Sequence, residues 1–125
     1  MPDTGPLDLQ VFGKLVALES DEPGFLAELV REFQEGVVRR LGAIADAIAA
    51  EDWRALAAAA HSLRGSCGTV GAPGMASLAG RMEDDPPTTR AAASPLLEQL
   101  QAEYEAVRRA LGEAVAAARP PDARP

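Results

Sequence analysis

Histidine, cysteine and lysine occur once each in these 125 residues, as His61, Cys67 and Lys14. A single cysteine excludes an internal disulfide and fits a reducing compartment. One His and one Cys also exclude an ordinary transition-metal centre, which needs several such ligands or the paired Glu-x-x-His motifs of metal-binding bundles. A Ser or Cys nucleophile would find no second His to act as its base. No Gly-rich phosphate loop of a recognised kind is present, so ATP binding is not expected. Aromatics make up 4% of the chain, and a core must therefore be built from Leu, Val, Ile and Ala, which favours packed helices over a sandwich or barrel. No apolar run is long enough to span a bilayer, and the opening Met1-Pro-Asp-Thr-Gly-Pro6 does not read as a signal peptide. The expected location is cytoplasmic.

What the chain does hold is 47% apolar residues, a net charge of -7 and a pI near 4.6. That apolar content is too high for a disordered segment, and the length suits one domain with a single core. The acidic surface repels phosphate backbones and anionic lipid headgroups, so neither nucleic acid nor a membrane is an expected partner. The basic residues are almost all Arg; together with the abundance of Ala, this reads as coding bias and not as chemistry.

Five helical segments and no strand follow from the patterning. The first spans about 7–18, with Leu7, Val11, Leu15 and Leu18 on one face. Asp21-Glu22-Pro23 marks the start of a second, reaching about Ala50, with its stripe through Leu26, Leu29, Val30, Phe33, Val37, Leu41, Ile44 and Ile48. Gly36 and Gly42 argue against its being straight and uninterrupted. Asp52 is the expected N-cap of a third helix, Trp53 to about Val70, which Gly71-Ala72-Pro73-Gly74 ends. A short fourth helix points Met75, Leu78, Ala79 and Met82 inward, and residues 83–89 read as a loop. Ser94-Pro95 reads as the start of the last helix, with Leu97, Leu100, Tyr104, Val107, Leu111 and Val115 on one face. The expected fold is all-α, an antiparallel four-helix bundle with an additional N-terminal helix as a lid. It occupies residues 1–118, with a disordered tail over 119–125.

The third helix carries the one distinctive group. Leu56, Ala60, Leu63, Cys67 and Val70 lie within roughly 40° of one direction, the core side, and His61 points about 140° away. Its angular neighbours are Arg54, Ala57, Ala58, Gly65 and Gly68, all but one of them small. Arg64, at i+3, can reach a group carried on the ring. Glycine inside a helix costs on the order of 1 kcal/mol relative to Ala, so Gly65 and Gly68 ask for a local reason, and clearing space for another protein supplies one. A lone helical histidine is ordinarily an inert surface residue; here the small neighbours, the cation and the Gly at i+4 together argue for an accessible nucleophile. Cys67 falls on the core face, where a small apolar thiol is ordinary. The acidic runs Glu19-Asp21-Glu22 and Glu83-Asp84-Asp85 read as solvated helix ends and loops rather than metal sites.

The run His61-Ser-Leu-Arg64-Gly65-Ser66, followed by Gly71-Ala72, Leu78 and Glu83, resembles the signature of histidine-containing phosphotransfer (HPt) domains. The likeness extends over about Leu7 to Leu111 and takes in the Asp52 turn and the Asp21-Glu22-Pro23-Gly-Phe25-Leu segment. The resemblance implies that His61 is the phosphoacceptor, that Arg64 steadies the phosphoryl oxygens where the family commonly has Lys, and that Gly65 opens access. It implies a carrier without ATP hydrolysis, exchanging phosphoryl groups with aspartates of response-regulator receiver domains or of a hybrid sensor kinase. The chain itself then needs no cofactor, Mg²⁺ being supplied by the receiver. Chemically this is coherent, since neutral imidazole attacks without a general base and phosphoryl transfer asks mainly for positioning and charge neutralisation. Docking is expected to be mostly apolar, around the His61 face, with Phe12, Val16 and Val38 as additional candidates off the main core stripes. No leftover apolar stripe demands a dimer, so a monomer is expected. Two alternatives remain at this point: a phosphoacceptor domain charged directly by a histidine-kinase catalytic domain, and a helical adaptor that never carries phosphate.

Overall fold

Five helices and no strand make up the residues that the computed structural model describes, 5–118: α1 (Leu9–Leu18), α2 (Phe25–Ala50), α3 (Trp53–Val70), α4 (Pro73–Asp84) and α5 (Arg90–Ala118). The expected tail over 119–125 lies outside the described residues. α2 packs on α3 and α5, and α4 packs on α3 and α5, so the four close a ring around one core. α1 lies against α2 and α3. The core is built mainly from aliphatic side chains, with two methionines and the aromatics Phe12, Phe33 and Tyr104; Val37, Ile44, Leu56, Leu63, Met75, Met82, Leu100, Val107 and Leu111 are fully enclosed. Cys67 is buried with them, and burial pushes its thiol up to about 12, well beyond the thiolate range.

Two tight corners set the antiparallel order. At the first, Glu51 takes a left-handed conformation (φ 55°) and Asp52 Oδ1 accepts from the Ala55 N–H at 3.0 Å, ending α2 and starting α3. Arg90 of α5 closes this corner from outside, donating to the Ala49 carbonyl at 2.7 Å and to that of Ile48, which also accepts from the Glu51 N–H. At the second, Gly71 ends α3 at φ 76°, and a Cβ there would lie 2.9 Å from that of Val11. Both the dihedral and the close approach require glycine. The Gly71 carbonyl accepts from the Asp8 N–H at 2.7 Å, which ties the root of α1 to this corner.

Three of the expected helix starts are corrected. α1 begins at Leu9, because the Asp8 carboxylate caps it through the Gln10 and Val11 N–H groups. Leu7 is buried ahead of the helix, and the face that turns inward is Phe12 with Leu15 and Val16, while Leu18 looks outward and Val11, partly exposed, lies against Gly71. α2 begins at Phe25, not at Pro23. Its cap is supplied from a distance by Glu19, whose two oxygens accept from Gly24 N–H and Leu26 N–H at 2.9 Å each, with Gly24 in the left-handed region at φ 91°. α5 begins at Arg90 because the Thr89 hydroxyl accepts from the Ala92 N–H, and Pro95 sits inside the helix. The carbonyl of Ala91, which Pro95 cannot satisfy, belongs to an exposed residue that water reaches. α2 itself runs unbroken through Gly36 and Gly42.

The Glu19 cap has a pH signature. Its two backbone hydrogen bonds hold the carboxyl below the ordinary Glu range. A folded-state pKa below the unfolded one contributes stability that is complete above about pH 4.3, the ordinary Glu value, and is lost as pH falls through the lower folded-state value. Glu19→Ala therefore lowers the melting temperature at pH 7, and the gap to wild type narrows under acid. Thermal melts at pH 7 and pH 3 check this; a gap undiminished at pH 3 contradicts it.

Candidate functional site

Because α3 and α4 run antiparallel about Gly71-Ala72, residues equally distant from that corner come side by side. His61 lies eleven residues before Ala72 and Glu83 eleven after it, one near the middle of α3 and the other in the last turn of α4. His61 Nδ1 stands 2.5 Å from Glu83 Oε2, and Arg64 Nη1 donates to Glu83 Oε1 at 3.2 Å. Each oxygen of one carboxylate thus serves one of the two residues. Arg64 Nη1 also lies 3.7 Å from Asp84 Oδ2.

The hydrogen bond from His61 is the main cause holding the Glu83 carboxyl below its usual range; partial burial opposes it and Arg64 adds to it. An ionised carboxylate can only accept, so Nδ1 carries the ring proton and Nε2 keeps its lone pair. The imidazole side chain is 73% exposed against 25% for Glu83. The fixed nitrogen is therefore on the sheltered side, and the ring as a whole is open to an approaching partner. Local preference alone does not explain this carboxylate: an acid in the last turn of a helix meets the negative end of its dipole. Its place there is accounted for by the tertiary contacts to His61 and Arg64.

Of the candidates read from the sequence, the structure brings His61 and Arg64 together. Gly65 and Gly68 are exposed on the same side of α3, and a Cβ at either would meet nothing within 4 Å. Arg54 and Ala58 are exposed there too, and Ala57 is half-buried. Phe12 does not belong to this surface: at 2% exposure it is a core residue under α1, a correction that follows from the rotated inward face of that helix. Val16 is half-buried against the same core. Val38 is 62% exposed, but it lies about 160° around α2 from Arg40, which borders Ser66 and Thr69 of α3, so it faces away from α3. Glu83, expected in a loop, is helical and touches both candidate side chains, His61 and Arg64. The signal was the near-symmetric spacing of His61 and Glu83 about Gly71-Ala72. Among the described residues no group of three or more His, Cys, Asp or Glu side chains is arranged to hold a metal ion.

A sequence profile described as the Hpt domain matches residues 28–110, from α2 well into α5 and including every residue of this cluster. The chain belongs to the Hpt domain family. Its role is accordingly histidine phosphotransfer in phosphorelay signalling. Among solved structures, histidine-containing phosphotransfer protein B of Pseudomonas aeruginosa is 27% identical, covering 89% of this chain and 95% of its own, with a TM-score of 0.70. A histidine-containing phosphotransfer protein of Medicago truncatula is 25% identical, covering 91% of this chain and 77% of its own, also at 0.70. A maize histidine-containing phosphotransfer protein, 24% identical with 90% and 85% covered, shares the fold at a TM-score of 0.74. A comparison with curated protein sequences gives no significant match. In the described residues of this Hpt chain no helix is long and apolar enough to cross a membrane.

Proposed function

We propose that His61 is the phosphoacceptor of this Hpt domain, taking a phosphoryl group from the aspartate of one receiver domain and passing it to another. The observation that carries this reading is the His61–Glu83–Arg64 cluster: a largely exposed ring, held at Nδ1 by a carboxylate, with a guanidinium one turn away. In the forward step the Nε2 lone pair forms the N–P bond as the aspartyl O–P bond breaks, and that bond's electron pair leaves on the aspartate. The Nδ1 proton stays in its hydrogen bond to Glu83, which favours the positive charge the ring acquires. Arg64 neutralises the phosphoryl oxygens through a planar fork suited to them. The return step reverses each of these. Mg²⁺ and the rest of the transfer machinery belong to the receiver, and the chain acts as a carrier without ATP binding or autokinase activity, in the cytoplasm.

The test is to mix the chain with a phosphorylated receiver domain and record its intact mass. Gain of one acid-labile phosphoryl group supports the reading. Absence of gain with every receiver of the source organism contradicts it, and gain from a kinase catalytic domain with ATP and no receiver reassigns the donor.

Gly65 gives a second test, because its two effects have opposite signs. Open space surrounds it, so Gly65→Ala recovers helix propensity of up to about 1 kcal/mol and raises the melting temperature. The added methyl also narrows the approach to His61, and phosphoryl uptake slows. A melting curve and a transfer time course on the same sample check both; a variant that is stabilised and transfers at the wild-type rate contradicts the access role.

A further inference from the structure

Arg64 is not free to meet an incoming phosphoryl group. Its guanidinium lies over Gly80, where a Cβ would stand 3.5 Å from its Cζ and Nε, an ordinary contact distance. Glu83 and Asp84, three and four residues further along α4, present carboxylates to its Nη1 at 3.2 and 3.7 Å. Gly80, Glu83 and Asp84 share one face of α4 and form a seat for the cation. Like Glu83, Asp84 stands at the end of α4 where the helix dipole disfavours an acid.

We propose that Asp84 sets how tightly His61 holds its phosphoryl group, by competing with that group for Arg64. The inference rests on His61 being the acceptor and deepens that reading. A phosphoryl group brings a charge of about -1.5 to -2 and draws the guanidinium off its seat. The seat is weak, since Arg64 is half exposed and Asp84 is 70% exposed, and exposed pairs of this kind contribute little. Its effect is therefore a modest loosening of the grip, which suits a carrier that must give up its charge as readily as it takes it. Asp84 is the residue that isolates this effect. Glu83 also binds His61, so its replacement alters the ring itself, whereas Asp84 reaches Arg64 alone of the two.

The experiment equilibrates the chain with a receiver domain that labels it and measures the ratio of phosphorylated chain to phosphorylated receiver. Wild type, Asp84→Asn, Arg64→Ala and the double variant complete a cycle. The expected result is a rise in the ratio of about two- to fivefold for Asp84→Asn, and no further effect of Asp84→Asn once Arg64 is Ala. An unchanged or lowered ratio in Asp84→Asn overturns the proposal. So does an equal rise with Arg64 absent, which would make Asp84 a simple repelling charge acting directly on the phosphoryl group. If no receiver labels the wild type, the acceptor reading fails and this inference fails with it. A labelled wild type with an unshifted Asp84→Asn variant overturns this inference alone.

Discussion

His61→Gln abolishes phosphoryl uptake while leaving the bundle as stable as before. The chain has no other histidine to take over, and its only cysteine is buried with its thiol pushed up to about 12, so among the described residues neither side chain offers a second nucleophile to solvent. Glutamine keeps the bulk and polarity of the side chain, and its amide can still donate to Glu83, which retains its contact with Arg64. The imidazole is largely exposed, so its removal opens no cavity. Intact mass after incubation with a phosphorylated receiver, beside a thermal melt, checks both halves. Residual labelling of the variant places the acceptor elsewhere; loss of labelling together with loss of folding leaves His61 a structural residue and contradicts the assignment.

The second large effect is on stability, and it comes from the opposite face of the same helix. Leu63, two residues from His61, has no exposed surface. Leu63→Ala removes its burial and leaves a cavity that the ring of helices only partly closes, a loss of about 2–5 kcal/mol. For a domain whose whole stability is of order 5–15 kcal/mol, this moves the urea midpoint down by about 1 M or more at constant slope. Below its lowered melting point the variant still accepts phosphate, because the His61–Glu83–Arg64 cluster lies on the outer side. A urea midpoint within a few tenths of a molar of wild type contradicts the packing described for α3. Taken with His61→Gln, the pair separates the two faces of α3, one for chemistry and one for cohesion.

The third helix was legible in the sequence because its start, stop and periodicity agree and outweigh Gly65 and Gly68 in its interior. Asp52 caps it, Gly71 stops it, and its apolar residues repeat at helical spacing, so both its bounds and the outward direction of His61 follow from local rules. Legibility was lower where a less obvious cap outweighs a proline start signal. Pro23 and Ser94-Pro95 carry strong local start signals, yet the cap of α2 is the carboxylate of Glu19, five residues before Gly24, and α5 starts earlier on Thr89 with Arg90 gripping the end of α2. In α1 the inward direction is set by packing on α2 and α3, so Phe12, Leu15 and Val16 face the core instead of the Leu7, Val11, Leu15 and Leu18 stripe, and Phe12 is not a docking residue. Glu83 was hidden for a different reason. Its functional contacts are to residues 19 and 22 positions away in sequence, and only a folded hairpin reveals them. The composition of 83–85 suggested a solvated loop, whereas the geometry of α4 makes two of its three acids partners of the site.

With Glu83 holding Nδ1 of His61, Nε2 is the nitrogen expected to take the phosphoryl group. ³¹P and ¹⁵N NMR of the phosphorylated chain, with histidine labelled in the ring, tests it directly, because scalar coupling to phosphorus identifies the bonded nitrogen. The expected result is coupling to Nε2 of His61, with a proton remaining on Nδ1. Coupling to Nδ1, or phosphorus on any residue other than His61, would contradict it.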